Sequence, residues 1–420
     1  MAKQSYPEPK GILPQSIFRS GIENASLAAF RRDPSVKVKD DTEFEAMKMH
    51  ILSLQADILV ATSFTDPAGQ VFDCVPIAEQ PSLKASGETV AEPPSLAAEI
   101  GVIEGEPASP ATDDSTDPPL DRHGNVMRCP PGFVPVRRVT LEEMVRFRTL
   151  DDYFSKTGAH PLVPPSAPAA DVSQNHRYAY SHQTIDNLGG HSFLNLRAPS
   201  VTGDQIFSLS QHWYSAGSGA AHQTVEVGWQ VYPVKYGHSQ PVLFIYWTAD
   251  NYGPSGGYNL DKPGFVQTNP AWTIGGAMSP VGSGGGPQFE IEIAFYLSGG
   301  NWWLYLGGLQ PQHAVGYYPA SVFNGGAMTS HATQALYGGE TVCGATGPWP
   351  EMGSGAFSGA IYPHPAWHRA IFVMPRGGGA QWATLTGESP SPACYNQFVG
   401  NYLAPWNVTM FYGGPGGGNC

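Results

Sequence analysis

Two glutamates stand where a carboxylate is costly to keep. In TVEVGWQVYP, residues 224–233, an extended strand puts Val225, Val227, Trp229 and Val231 on one face and Glu226, Gly228 and Gln230 on the other. A lone acid amid such a strand needs water, a partner or a ligand, because desolvating its charged form is unfavourable. A solvated face would satisfy it as well as a substrate would. The second acid, Glu340, lies in LYGGETVC, residues 336–343, after two glycines that permit close backbone approach or a sharp bend. Two carboxylates beside one water share a proton, and their apparent pKa values split apart. The ionised member can take a proton from water attacking a carbonyl, while the protonated member donates to the carbonyl oxygen or the leaving group. This is acid-dependent hydrolysis without a covalent intermediate, and the sequence leaves open which glutamate carries the proton. Gln230, on the Glu226 face, is a candidate for binding the oxyanion, although an exposed strand glutamine is also commonly just solvated. Trp229, Trp247 and Tyr337 complete the candidate substrate-binding set.

Rival constellations carry less. Glu290 and Glu292 in QFEIEIAFYL share a strand face and could pair, but adjacent like charges on a solvated face are commoner. Residues 253–257 fit G-x-S-x-G, yet a nucleophile elbow needs a strand-to-helix turn that this Gly-rich loop does not offer. His364 and His368 have metal-like spacing without an H-E-x-x-H, and read as a surface turn, so neither a metal nor a cofactor is expected.

The elements that must position these residues read as strand after strand. PVLFIYWTA, QFEIEIAFYL, NWWLYLGG, RAIFVM and NVTMFYGG are rich in aromatic and β-branched residues and separated by Gly and Pro clusters. The fold class is mainly β, an antiparallel β-sandwich, preceded by a smaller α+β domain. Length supports two domains, since the chain has 420 residues. Composition locates the boundary: all ten tryptophans lie at or beyond Trp213, whereas the first 175 residues hold 16 of the 22 basic and 25 of the 35 acidic residues. In that first part, Phe44, Met47, Ile51 and Leu54 recur at helical spacing within residues 41–55. Thr140 and Glu143 form a capping box ahead of Met144, Phe147 and Leu150. QVFDCVPIAEQPSL reads as strand and turn, residues 84–121 as a flexible insertion, and residues 151–175 as a Pro-rich linker before a sandwich over 176–420.

A formal net charge of −13 argues against a nucleic-acid partner, which requires a basic face. No apolar run approaches the ~20 residues a membrane helix needs. The opening MAKQSYPEPKGILPQS lacks the apolar centre of a secretory signal. So few ionisable groups beyond residue 175 imply a stability that depends weakly on acid pH.

Taken together, VEVGWQV, YGGETV, FSLSQHW, FIYWTAD, GYNLDKPGFVQT, WWLYLGG, VGYYPASVF and the terminal FYGGPGGGNC make the chain from His176 onward resemble the neprosin family of glutamic peptidases. The resemblance implies two large curved sheets with the active site on a concave face, Glu226 and Glu340 as catalytic residues, peptide or protein substrates, cleavage after proline and secretion. VFDCVPIAEQPSL and RCPPGFVPVRRVTLEEM resemble the activation-peptide domain of that family. By that likeness the first ~150 residues (1–150) are the enzyme's own inhibitor, and self-cleavage at acid pH would leave a start between Leu162 and His176. Cys394 and Cys420 fall where the family has its C-terminal disulfide; Cys74 and Cys129 could pair, and Cys343 would stay single. Gly257 and Lys262 stand where another family bridge would be. Asn407, Val408 and Thr409 form a glycosylation sequon. The alternative reading is a non-catalytic or carbohydrate-directed sandwich, lectin-like or a glycosidase, with aromatic rings stacking on sugars.

Overall fold

Alternation of apolar and polar residues, interrupted by glycine, builds the larger part of the molecule in strands. The computed structural model describes residues 8–56, 58–100, 117–156, 176–344, 347–418 and 420. A small antiparallel sheet of β1 (Ser63–Thr65), β2 (Val71–Pro76) and β3 (Phe133–Arg137) lies in the N-terminal part, where Cys74 is bonded to Cys129. Beyond it, β4 (His176–Asn195), β5 (Gln205–Ala216), β6 (Gln223–Val231) and β7 (Val242–Thr248) belong to a fifteen-stranded sheet whose pairings are antiparallel. The local order is β7, β6, β5, the strand Ala332–Cys343, then β4.

The long strand β4 turns this sheet into a sandwich-like body. Its first half pairs with Ala332–Cys343, and its second half with Glu290–Ser298 and Ala366–Pro375. Gly189 lies between the halves with φ +126°, and a Cβ there would meet the Phe295 carbonyl oxygen at 2.0 Å, so glycine is required at the bend. Between the layers lies an apolar core that includes Leu194, Val225, Val227, Trp229, Phe295, Trp302 and Tyr318. The second expected bridge, Cys394–Cys420, is formed, and Cys343 is a buried free thiol.

A second core joins the N-terminal part to the sheet. The helix Asp41–Leu54 begins where the Asp40 side chain accepts from the Thr42 amide, and it turns Phe44, Met47 and Ile51 inward. The expected capping box also forms, with Thr140 accepting from the Glu143 amide, but the helix runs only Leu141–Met144 before a second short one, Leu150–Phe154. Met144, Phe147 and Phe154 join the first helix in packing on Phe207, Leu209, Phe244, Tyr246 and Tyr258 of the large sheet. Each such burial stabilises by about 1.5–3 kcal/mol. These sheet residues lie on the face that carries Glu226 and Glu340, so residues 41–54 and 141–156 form a cover over the two acids.

Three expectations need revision. Residues 84–100, read as part of a flexible insertion, instead lie along the sandwich: Leu83 and Leu96 are buried with Trp303, Tyr305 and Tyr317, and Tyr305 donates to the Pro94 carbonyl at 2.7 Å. A Pro- and Ala-rich segment has no period of its own, but its one leucine, Leu96, and the Pro94 carbonyl find partners on the sheet. The linker begins later than residue 151, because 151–156 belong to the cover; residues 157–175, which hold its prolines and nearly the whole of the expected processing site, lie outside the described residues. His368 is on no surface turn: it lies in the strand Ala366–Pro375, fully buried, bonded to Ser192 at 3.1 Å and Ser210 at 3.0 Å. Among the described residues no helix is long and apolar enough to cross a membrane.

Candidate active site

Strand register brings the two glutamates to neighbouring positions across one intervening strand. On β6, Glu226 is opposite Trp213 of β5 and Tyr246 of β7; on the strand Ala332–Cys343, Glu340 is opposite Leu209 of β5 and Tyr178 of β4. Gln211 of β5 is flanked by Gly228 on one side and Gly338 on the other, each two residues from a glutamate. Side chains two apart share a face, so Glu226, Gln211 and Glu340 line one row with no side chain between them. Gly338 holds φ +150°, and a Cβ would meet the Ala179 carbonyl oxygen at 2.4 Å, which excludes any other residue without rearrangement.

The ammonium of Lys156, two residues past the helix Leu150–Phe154, lies between the carboxylates. Its Nζ is 2.5 Å from Glu226 Oε2 and 2.8 Å from Glu340 Oε2, with all three side chains buried. Both acids are therefore within hydrogen-bond reach of a single point. Their remaining oxygens are held from behind: Glu226 Oε1 accepts from Thr224 at 2.9 Å and Tyr252 at 3.0 Å, whereas Glu340 Oε1 meets His176 Nδ1 at 2.6 Å and accepts from Tyr178 at 3.0 Å. Turned with its nitrogen toward the acid, the Gln211 amide donates to Glu226 Oε2 at 2.9 Å and accepts from Lys156 at 3.2 Å.

The electrostatics follow from this geometry. Burial alone would raise the pKa of Glu340, but the Lys156 charge and the His176 hydrogen bond and charge outweigh it and bring the carboxyl to about 2. Burial would lower Lys156, and the two carboxylates more than offset that and raise it. Tyr178 and Tyr252 are pushed well up, first by burial and then by the adjacent acids, so both remain hydroxyl donors. The arrangement is not sealed. A cavity of about 240 Å³ reaches Glu340, Gln211 and Lys156 between the rings of Tyr178, Tyr180, Trp213 and Tyr252.

Of the residues singled out in the sequence, Glu226 and Glu340 come together and the proposed substrate-binding residues do not join them. Trp229 is in the core and donates to the Asn195 carbonyl at 2.9 Å; Trp247 packs on Tyr318 and Phe323; Tyr337 lies beside Tyr214 and donates to the Phe372 carbonyl at 3.3 Å. Gln230 keeps the face of Glu226 but donates to Tyr258 at 3.1 Å beneath the N-terminal cover. The Glu290 and Glu292 carboxylates are each engaged elsewhere, by Arg369 and by His191 respectively. Sequence reasoning missed Lys156, His176, Tyr178, Gln211 and Tyr252. Only Gln211 carried a signal, since strand alternation in FSLSQHW puts a polar side chain between Ser210 and His212 on the opposite face.

Comparison with known proteins places the C-terminal part in company. A family model described as Neprosin matches residues 204–415, half of the chain. A crystal structure of Scytalido-glutamic peptidase with a peptide-based transition-state analogue is 11% identical, covering 57% of this chain and 97% of its own, with a TM-score of 0.30. The structure of SCP-B, a member of the Eqolisin family of peptidases in complex with the tripeptide Ala-Ile-His, is 12% identical, covering 57% of this chain and 97% of its own, with a TM-score of 0.27. These structural likenesses are loose.

Proposed function

The chain belongs to the neprosin family, and from that premise we propose that it is a glutamic endopeptidase, held latent by its own N-terminal residues and active at acid pH. The observation that carries this reading is the Lys156 contact: one buried ammonium meets one oxygen of each glutamate, which marks a point where a water molecule could be held by both. With the ammonium withdrawn, Glu340 acts as the ionised base that takes a proton from that water as it attacks a peptide carbonyl. Glu226 is the acid that donates its proton to the carbonyl oxygen; as the tetrahedral intermediate collapses, its hydroxyl returns that proton to Glu226 and Glu340 passes the proton taken from water to the leaving amine. Gln211, rather than Gln230, is the amide in reach of the developing oxyanion.

Substrate contacts belong to the rings that line the opening. Tyr178, Tyr180 and Trp213 offer flat apolar surface beside Glu340, which suits a proline ring next to the cleaved bond. Latency follows from charge: Lys156 occupies the water position and the cover over residues 41–54 and 141–156 closes the same face. The disulfides Cys74–Cys129 and Cys394–Cys420 fit an oxidising compartment, in keeping with secretion.

Casein or a proline-containing peptide, incubated near pH 3 with the wild-type chain and with Glu226→Gln, tests the proposal. The wild type is expected to cleave and the variant to be inactive at unchanged fold. The same aromatic opening would also admit a sugar, so carbohydrate binding with no proteolysis by either protein would replace this reading with a carbohydrate-directed one.

A further inference from the structure

We propose that His176 is a positioning residue of the dyad: it anchors Glu340 as the glutamate that keeps its negative charge, and thereby fixes which carboxylate is base and which is acid. The inference deepens the peptidase reading and rests on it. The two acids are nearly matched in burial and in having one oxygen turned toward Lys156, but their rear oxygens differ. Glu226 Oε1 is held by two neutral hydroxyls, those of Thr224 and Tyr252, whereas Glu340 Oε1 is held by the Tyr178 hydroxyl and the His176 imidazole at 2.6 Å. An imidazole is cationic in acid, and a short charge-assisted bond favours the carboxylate over the carboxylic acid.

The imidazole is also fixed in place. Its ring stacks on Tyr178 with centroids 6.1 Å apart and planes 18° from parallel, and meets Phe207 edge-on at 6.4 Å. The other titratable groups facing the pair are Lys156, Tyr178, Tyr246, Tyr252, Glu226 and, at the rim of the opening, His222. The tyrosines stay neutral, and burial holds His222 below its ordinary value, with no carboxylate bonded to it among the described residues. Once Lys156 leaves, His176 is the remaining cation-forming group bonded to either member of the dyad among the described residues. The shared proton then goes to Glu226. His176 opens β4, so any cut within residues 157–175 leaves it on the catalytic part.

Two measurements on the acid-incubated full chain test the assignment. The first is the pH profile of kcat/KM on a proline-containing peptide for wild type, His176→Ala and His176→Asn. Loss of the imidazole is expected to cut kcat by about tenfold or more with little change in KM, and to move the acidic limb upward by about one pH unit. His176→Asn, which retains a donor without the charge, should recover part of kcat but not the limb. A limb and kcat unchanged in both variants would overturn the proposal. The second needs no activity: the NMR titration of the His176 ring in wild type and in Glu340→Gln. Neutralising Glu340 should lower the His176 midpoint by about one unit, and an unmoved midpoint would overturn the pairing itself. Coupling in a wild type that cleaves no peptide would retire the peptidase reading and the positioning role with it.

Discussion

In the latent form proposed above, a single side chain, Lys156, meets both acids. Its ammonium pairs with one oxygen of each, so Lys156→Met in the full chain should give peptide cleavage without prior acid incubation; a tenfold rise corresponds to about 1.4 kcal/mol less bias toward the closed form. A variant as latent as the wild type would show that the cover, and not the ammonium, imposes latency. Acid should weaken the same contact. The Glu340 pKa in the closed form lies near 2, below the ordinary 4.5. Its contribution is therefore fully present above about pH 4.5 and is lost as pH falls toward 2. Protection of β5 and β6 amides from hydrogen exchange, taken relative to the intrinsic rate at each pH, should fall through that window, and protection independent of pH would contradict the linkage. Glu226 and Glu340 were legible because a carboxylate in an apolar strand demands an explanation. Lys156 was not, since nothing local marks a lysine beside a Pro-rich stretch, and its meaning depends on partners 70 and 184 positions away.

At the level of elements, alternation along strands gave the right faces, and the rings named as substrate-binding candidates lie on the wrong one. Val225, Val227, Trp229 and Val231 do share a buried face opposite Glu226, and that alternation already removes Trp229 from the dyad. Trp247 and Tyr337 follow it into the core, as large rings do when a sandwich needs filling. The helix 41–54 was read correctly from its spacing, while its packing on the dyad face involves residues too distant in sequence for any local pattern to show. The seam between cover and sheet carries its own charge device. Asp261 of the large sheet's loop meets Lys235 at 3.0 Å, accepts from Tyr153 at 2.9 Å and lies 3.5 Å from Arg137. Burial would raise its pKa, and the neighbouring cations outweigh that and lower it, so this contribution also fades in acid. Glu143, raised by burial, acts in the opposite sense. Asp261→Asn should loosen the cover at neutral pH and flatten its acid dependence, read as release of residues 1–156 on size exclusion after cleavage in 157–175. Unchanged retention would place the pH response at Lys156 alone.

For the molecule as a whole, the few ionisable groups beyond residue 175 imply a stability that depends only weakly on acid pH, and the histidines alter that expectation. His212 and His368 are fully buried in a chain of hydroxyl contacts, His212 to Ser192 at 2.7 Å and His368 to Ser192 and Ser210. Burial holds His368 at about 3, and burial with the neighbouring His368 and His191 holds His212 well below its ordinary value. The unfolded chain takes up these protons first. Stability is therefore full above about pH 6.5 and falls toward pH 3, by about 1.4 kcal/mol per pH unit for each histidine. Urea unfolding at pH 7, 5 and 3 should show that decline, and His368→Gln should flatten it by close to one proton; a flat wild-type profile would contradict the account. The central claim remains that Glu226 and Glu340 jointly activate one water. Its most direct test is kcat/KM on a proline-containing peptide for acid-incubated wild type and Glu340→Gln across pH 2–6. The account predicts a bell-shaped profile in the wild type and a loss of roughly 10³-fold in the variant. Glu340→Gln cleaving at the wild-type rate would contradict it.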